Sequence, residues 1–432
     1  MNMQKVSLKS DRSSHKGLAW FIWALATMFF AYQFILRLAP GLIINQMMVK
    51  YNISASEYGL FSSMYYLGYA GMQIPIALLL DKYGPRIAGG LCILLCAMSS
   101  IVFILSDSWA VALISRVLIG TGSAAGFLTV SKVISMWFDK KYYGRMVSVT
   151  FSFGLIGAVY GGKPVNDLID TFGWVDAMIG VGVAGAIICL VFLLFVRSVD
   201  GYKDKVEDKV MDKLAEVCTN KNIILIACGN LLLVGALEGF ADVWGVSYLV
   251  NIYGYTKSDA SMVTSFIFVG MIFGAPLLAL FAEKLEANYA LTAICGAIMS
   301  ASFFAIILFD SYIGKNLIYF LVFIIGIACC YQVLVFTIGS SLVRPSLIGV
   351  TIAFLNSINM IGGTFFHTVI GQTMDRFWDG EIANGVKMYN AVAYRYSLLS
   401  IPVASLVGAF IFLAVGSYVR SKKKKARIIE YH

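Results

Sequence analysis

Long apolar runs, parted by short polar breaks, recur from one end of the chain to the other. A helix crosses a bilayer core of ~30 Å with about 20 residues. Twelve stretches reach that length: residues 17–46, 57–80, 87–106, 109–137, 145–168, 174–197, 222–251, 259–282, 288–309, 316–342, 346–373 and 391–419. The pattern predicts an all-α membrane protein with twelve transmembrane helices.

A second regularity divides the chain. Residues Ser54 to Gly84 and Thr256 to Glu286 follow one plan: an acid at the helix entry (Glu57, Asp259), a mid-helix glycine (Gly68, Gly270), a proline, and an acid–lysine pair at the exit (Asp81-Lys82, Glu283-Lys284). Such a repeat implies two pseudo-symmetric six-helix bundles around a central axis. The expected organisation is a tail over 1–16, a first bundle over 17–197, a linker over 198–221, a second bundle over 222–419 and a basic tail over 420–432. In the linker, Val206, Val210, Met211, Leu214 and Val217 recur at helical spacing with charges opposite, which predicts an amphipathic helix on the membrane surface. A solvated linker is the plainer alternative.

Composition agrees with a membrane protein. Hydrophobic residues make up 59% and charged residues 13% of the chain, where soluble domains carry ~25% charge. The net charge of +9 sits in short loops and at the ends, which argues against nucleic-acid binding. Lys5, Lys9, Arg12 and Lys16, then Lys82 and Arg86, Lys140, Lys141 and Arg145, and finally Arg420, Lys422 to Lys425 and Arg427 all fall on one side of a twelve-span chain. By the positive-inside rule both termini are expected in the cytoplasm, of a plasma or inner membrane if the source is bacterial. The first apolar run is long and lacks a small-residue cleavage site, so a retained span is expected rather than a signal peptide. The eight cysteines, among them Cys92, Cys96, Cys329 and Cys330, have no zinc-like spacing and read as small buried hydrophobes; no metal site is expected.

The stretch GAVYGGKP, Gly157 to Pro164, misses a P-loop by one residue: Pro164 stands where a magnesium-binding hydroxyl is needed, and no strand precedes it. No nucleotide cofactor is expected. Three other features carry a resemblance. Asp81-Lys-Tyr-Gly84-Pro-Arg86 follows the second span, Arg116-Val-Leu-Ile-Gly120-Thr-Gly122 lies in the fourth, and Gly154, Gly157, Gly161, Gly162 and Pro164 line the fifth. Together they resemble the signature patterns of the major facilitator superfamily, over essentially the whole chain, with Ala77 and Pro85 departing from the signature loop. Arg37 in YQFILRLAPG and the stretch GFADVWGVSYL are similar to the branch that includes the lysosomal dipeptide transporter and its bacterial relatives, and the first-helix arginine also resembles that of organic-anion and sugar-phosphate symporters. The resemblance implies a carrier that works by alternating access around a central site, with Asp81, Gly84, Arg86, Arg116, Gly120, Gly122, Gly157, Gly162 and Pro164 serving conformational change. For Arg116 it implies a role in organising the fourth helix and in proton linkage, beside the alternative of substrate contact.

An ionisable group at mid-bilayer costs at least about 2.5 kcal/mol, so each one needs a partner, water or a role. The predicted spans contain Arg37, Arg116, Lys132, Lys163, Glu238, Asp242 and His367. Gln33 lies one turn before Arg37, and Glu238 and Asp242 lie four apart in the equivalent span of the second half. Two readings stand together. Arg37 grips a substrate anion while Glu238 or Asp242 takes an ammonium group or a proton, or Arg37 and Asp242 pair across an outer gate. Glu238 is the favoured proton-coupling residue, with Asp242, Arg116 and His367 as further candidates, although a lone histidine also fits helix packing. Lys132 is expected to snorkel, and whether Lys163 faces water or the permeation path is open. Tyr32, Tyr65, Trp244, Gln332, Asn356 and Asn359 are candidate cavity residues that equally fit helix packing.

The expected function is secondary or facilitative transport of a small charged solute. An amino acid or dipeptide is favoured, moved by uptake that can be proton-coupled, with a monomer in the lipid bilayer as the working unit. Alternatives are organic-anion or phosphorylated-metabolite symport, drug or siderophore export, and a transporter-like sensor. An enzyme is not expected, because no spaced acid, base or metal cluster occurs near a membrane boundary.

Overall fold

The computed structural model describes residues 16–196, 210–285, 287–383 and 386–430. By length and composition, ten continuous helical segments could cross a bilayer among the described residues. The longest, Ala55–Leu105, turns back at Gly84, whose φ of 76° suits glycine, and so supplies two crossings. Tyr143–Gly161 and Lys163–Phe172 together supply another, its hydropathy lowered by Lys163, Asn166, Asp167 and Asp170. Twelve crossings result, and an even number returns the chain to the face it left. We call the face bearing Lys16 and Arg420 the near face and its opposite the far face.

The first span is Lys16–Leu38, the second Ala55–Gly84, the third Gly90–Leu105, and the fourth Trp109–Ser123 with Ala125–Trp137. The fifth is the broken pair just described, and the sixth is Trp174–Phe195. In the second half, the seventh span runs through Lys221–Leu233, Ala236–Trp244 and Gly245–Tyr253, followed by Lys257–Leu285, Asn288–Leu308, Lys315–Cys329 with Tyr331–Ser341, Ile348–Arg376, and Ala391–Leu398 with Ser400–Glu430.

The repeat is built into the packing. Ser54 caps the second span through a reciprocal bond with Glu57, and Thr256 accepts from the Asp259 backbone at the start of the eighth (3.1 Å). Gly68 abuts the Val117 backbone of the fourth span, and Gly270 abuts Phe323 and Gly326 of the tenth. Large apolar side chains such as Leu91, Leu190 and Phe410 stay exposed, as a lipid-facing surface requires.

Four expectations change. The first helix stops at Leu38, not at residue 46, because Pro40 opens a 3₁₀ turn over Ala39–Leu42, and Ile44–Tyr51 is a separate short helix. The fifth span breaks at Gly162, after which Pro164 occupies the first turn of a new helix. The loop before the twelfth span carries two short strands, Ile382–Ala383 and Val386–Lys387, paired antiparallel. Lys132 does not simply snorkel: its ammonium lies 2.7 Å from the Asp81 carboxylate in the signature loop.

Of the linker, Val210–Thr219 is helical; Val217 is buried, Met211 is exposed, and Arg344 donates to Glu216 (2.6 Å). Val206, the tail residues Lys5, Lys9 and Arg12, and residues 198–209 lie outside the described residues, as do the side chains of Lys16, Lys422 to Lys425 and Arg427.

Toward the far face the two halves are tied together at several points. The Ser56 amide donates to Asp375 (2.9 Å), the Ala55 amide to the Tyr389 hydroxyl (2.8 Å), and Ser258 Oγ to Asp167 (3.3 Å). Gly162 abuts Ser265. Toward the near face the ties among the described residues are sparser, with Ser357 Oγ donating to Gln73 (3.3 Å).

Candidate functional site

The site begins where the first span ends. Arg37 is in the last turn of its helix, where a cation also suits the negative end of the dipole. The turn that follows is held by Tyr58, whose hydroxyl donates to the Pro40 carbonyl (2.6 Å). It also touches the seventh span: a Cβ on Gly41 would sit 2.6 Å from the Asp242 carbonyl oxygen, so glycine lets the two backbones meet. Arg37 is thereby carried against the other half of the molecule.

The seventh span meets it with an unusual backbone. Ala236–Trp244 is π-helical, and the Gly245 amide bonds back five residues to the Phe240 carbonyl. This widened turn holds both Glu238 and Asp242, which are buried along with Arg37. Arg37 Nε donates to Asp242 Oδ2, which also accepts from the Tyr66 hydroxyl. Arg37 Nη2 lies 2.6 Å from Glu238 Oε2. That approach is a charge contact without hydrogen-bond alignment, so Nη2 and both Glu238 oxygens lack an aligned partner. π-Helical turns are common where function demands an irregular backbone.

Around this triad the second span supplies aromatic walls. The Tyr66 ring lies 5.5 Å from the Arg37 guanidinium carbon and 5.3 Å from the His367 ring. Tyr65 donates to Gln33 Oε1 (3.0 Å). Arg116 is buried between the rings of Tyr65 and Phe61, 5.0 and 5.3 Å from its guanidinium carbon, and donates to the Leu36 carbonyl (3.1 Å). Beside it a Cβ on Gly120 would run into the Tyr65 carbonyl.

The structure therefore brings Arg37, Glu238, Asp242, Gln33, Tyr65, Arg116 and His367 into one buried neighbourhood. Both His367 nitrogens, both amide atoms of Asn359 and the Trp244 indole nitrogen are buried without hydrogen-bond partners. Each such group costs about 1–3 kcal/mol unless something satisfies it, which suits a site that receives a polar ligand. Asn356 is half-buried one turn before Asn359, and Gln332 is half-buried on the tenth span. Tyr32 is placed elsewhere, its hydroxyl directed at Gly185 of the sixth span inside the first bundle.

Others of the signature residues pack within the first bundle. Arg86 Nε donates to the Leu193 carbonyl (2.9 Å), Gly122 abuts the third span at Cys92 and Cys96, and Gly157 abuts Ala31. Lys163 is 42% exposed and pairs with Asp167 (2.6 Å) at the far rim. Tyr66 is the residue sequence reasoning missed. It lies beside Tyr65, and only its register along the helix separates the wall that meets Asp242 from the one that meets Gln33. No group of three or more potential metal ligands occurs among the described residues. A surface depression of about 370 Å³ lies at the far rim beside Tyr253, Asp310 and Arg395, away from the triad.

Comparison with known proteins places this architecture. The uncharacterized transporter YybO of Bacillus subtilis is 25% identical over 239 residues, 55% of this chain and 54% of that protein. The hexuronate transporter of the same organism is 22% identical, over 49% of this chain and 52% of its own length. The chain thus spans about half the length of these curated relatives. Among solved structures, a bacterial homologue of the human lysosomal transporter Spinster, inward-facing and unoccupied, has a TM-score of 0.76 at 16% identity over 93% of this chain and 98% of its own. The nucleoside transporter NupG gives 0.72 at 15% identity over 91% and 98%. These likenesses show the fold. The family model of the Major Facilitator Superfamily matches residues 18–367, and the chain belongs to that superfamily.

Proposed function

We propose that this protein carries a small organic anion across a membrane by alternating access, together with a proton. The observation that carries the reading is the contact of Arg37 from the first half with both Glu238 and Asp242 from the second. In the present state the guanidinium is occupied by protein carboxylates. A substrate carboxylate or sulfonate can take a place on it only when one of them is neutralised, and protonation does that. Anion and proton therefore bind together and leave together, while Arg37 returns to its acids in the empty carrier. The packed far face and sparser near face fit a carrier open toward the near face, which the basic residues lead us to expect in the cytoplasm. The expected working unit is a monomer.

The names of relatives support an anionic cargo. Hexuronate transporters from two bacteria, a chloroplastic ascorbate transporter of Arabidopsis thaliana and a probable sulfoacetate transporter of Cupriavidus necator are among the similar proteins. A second reading, an amino acid or dipeptide, is favoured by the second carboxylate, which could receive an ammonium group while Arg37 holds the substrate's carboxylate. Counterflow in proteoliposomes separates the two. Exchange of D-glucuronate or sulfoacetate is expected; exchange confined to alanine or alanyl-alanine would replace the first reading with the second, and no exchange of any would favour a sensor. A charge swap, Arg37→Asp with Asp242→Arg, should stay inactive if Arg37 touches substrate, whereas restored flux would reduce the pair to a gate.

A further inference from the structure

The two acids of the seventh span are held differently. One oxygen of Asp242 receives two donors, Arg37 Nε and the Tyr66 hydroxyl. Glu238, equally buried, has the unaligned Arg37 contact, and although the Tyr66 hydroxyl and the Asp242 carboxyl lie within looser reach of it, neither of its oxygens has an aligned hydrogen bond. Among the described residues, Arg37, Asp242, Tyr66, Tyr69, Cys329 and Tyr331 lie in electrostatic reach of Glu238. Arg37 is the sole cation of that set. Asp242 is faced by Arg37 and also by Arg116. Hydrogen bonds to a carboxylate favour its charged form, and a neighbouring acid of like charge that lacks aligned donors is then the one that takes a proton.

We infer that Tyr66 is a positioning residue that fixes Asp242 as the permanent counter-ion of Arg37 and leaves Glu238 as the proton carrier. The inference deepens the proposed anion–proton carrier and rests on it for its use in transport. In the step itself a hydronium ion gives its proton to a Glu238 carboxylate oxygen and leaves as water; the Arg37 Nη2 contact loses its charge partner, and a substrate anion takes that place. Release reverses both moves. Tyr66 is placed for this by its ring as well as its hydroxyl, because Gly363 leaves room for the ring face and the Arg37 guanidinium lies on the other wall. Phenylalanine would keep the ring and lose the assignment.

The test uses the purified full chain in nanodiscs. Acid-minus-neutral infrared difference spectra of the wild type and of each variant are recorded separately for the band of a protonated buried carboxyl group. The band is expected to vanish in Glu238→Gln, to persist in Asp242→Asn, and to return in the double variant Tyr66→Phe with Glu238→Gln, now carried by Asp242. A band that survives Glu238→Gln with Tyr66 intact overturns the inference, as does a double variant that stays silent. In parallel, Glu238→Gln should lose the accumulation of D-glucuronate driven by a pH gradient that the wild type shows. If the infrared pattern holds while no variant or wild-type protein exchanges D-glucuronate, the anion reading falls and the assignment of the acids stands. If D-glucuronate exchanges but accumulation survives Glu238→Gln, the assignment falls and the anion reading stands.

Discussion

Two clusters of charge join the halves, and they are finished to different degrees. At the far rim Asp375 is fully engaged: its carboxylate accepts from the Ser56 amide at the start of the second span, from the Tyr389 hydroxyl (2.6 Å) and from Lys387 (3.1 Å). The Tyr389 hydroxyl in turn accepts from the Ala55 amide, and burial together with Asp375 pushes its ionisation well above the ordinary range, so it remains a donor at any physiological pH. In the centre, Arg37, Glu238, Asn359 and His367 keep polar atoms without an aligned hydrogen bond. A satisfied cluster holds a conformation, and an unsatisfied one waits for a ligand. The same chain thus separates the task of closing a gate from that of recognising a solute.

The sharpest way to break the comparison is Arg37→Ala. It strands two buried carboxylates, and losing one partner of a buried ion pair costs about 3–5 kcal/mol. Flux in proteoliposomes should fall to background with a clear drop in melting temperature; near-normal transport would show that the centre is only packing. Arg37→Lys keeps charge without the planar fork and should sit between the two.

Asp375→Asn comes next. It removes the charge facing a helix N-terminus and the Lys387 pair, interactions of about 1.5–3 kcal/mol for hydrogen bonds to a charged group. The far face should open in about tenfold more molecules, read as a longer distance between spin labels at Phe172 and Tyr312, two exposed far-side positions. An unchanged distance distribution would remove the latch from the account. Tyr389→Phe deletes one hydroxyl from the same latch and should move the distribution in the same direction by less, about 1 kcal/mol. The smallest effect belongs to Lys163→Ala. Its partner Asp167 is four residues on and half-exposed, and exposed pairs of this kind contribute about 0.3–0.5 kcal/mol. Flux and melting temperature should both stay near wild type, and a large loss would draw the glycine-rich fifth span into the permeation path.

Much of this was legible in the residues, and the reasons differ by feature. The spans were visible because a bilayer demands a fixed apolar length. Arg37, Glu238 and Asp242 were visible because charge in such a run is costly enough to need explanation. The equivalence of Ser54 with Thr256 and of Gly68 with Gly270 followed from matching spacing. Tyr66 was hidden because the hydropathy pattern of YYLGY is indifferent to which of two adjacent rings turns inward. Tyr32 misled for the same reason, its face being set by Gly185 of the sixth helix. The break at Gly162, the pairing of Lys132 with Asp81, and the strands before the twelfth span depend on contacts between segments far apart in sequence, which no local periodicity records.

The widened turn of Ala236–Trp244 has a consequence for how this chain tolerates change. A π-helical turn amounts to a helix that has absorbed an additional residue, and each residue of an ordinary helix turns the backbone by about 100°. Removing one residue between Glu238 and Asp242 would let the segment relax to regular winding, with the two acids three apart and still neighbours, but the rest of the span would shift in register against Arg37 and Tyr66. Side-chain volume and hydropathy would barely change, yet the acids would meet the guanidinium at a different angle. In this helix, length is the guarded quantity: single-residue deletions should be purged more strictly than substitutions at the same positions.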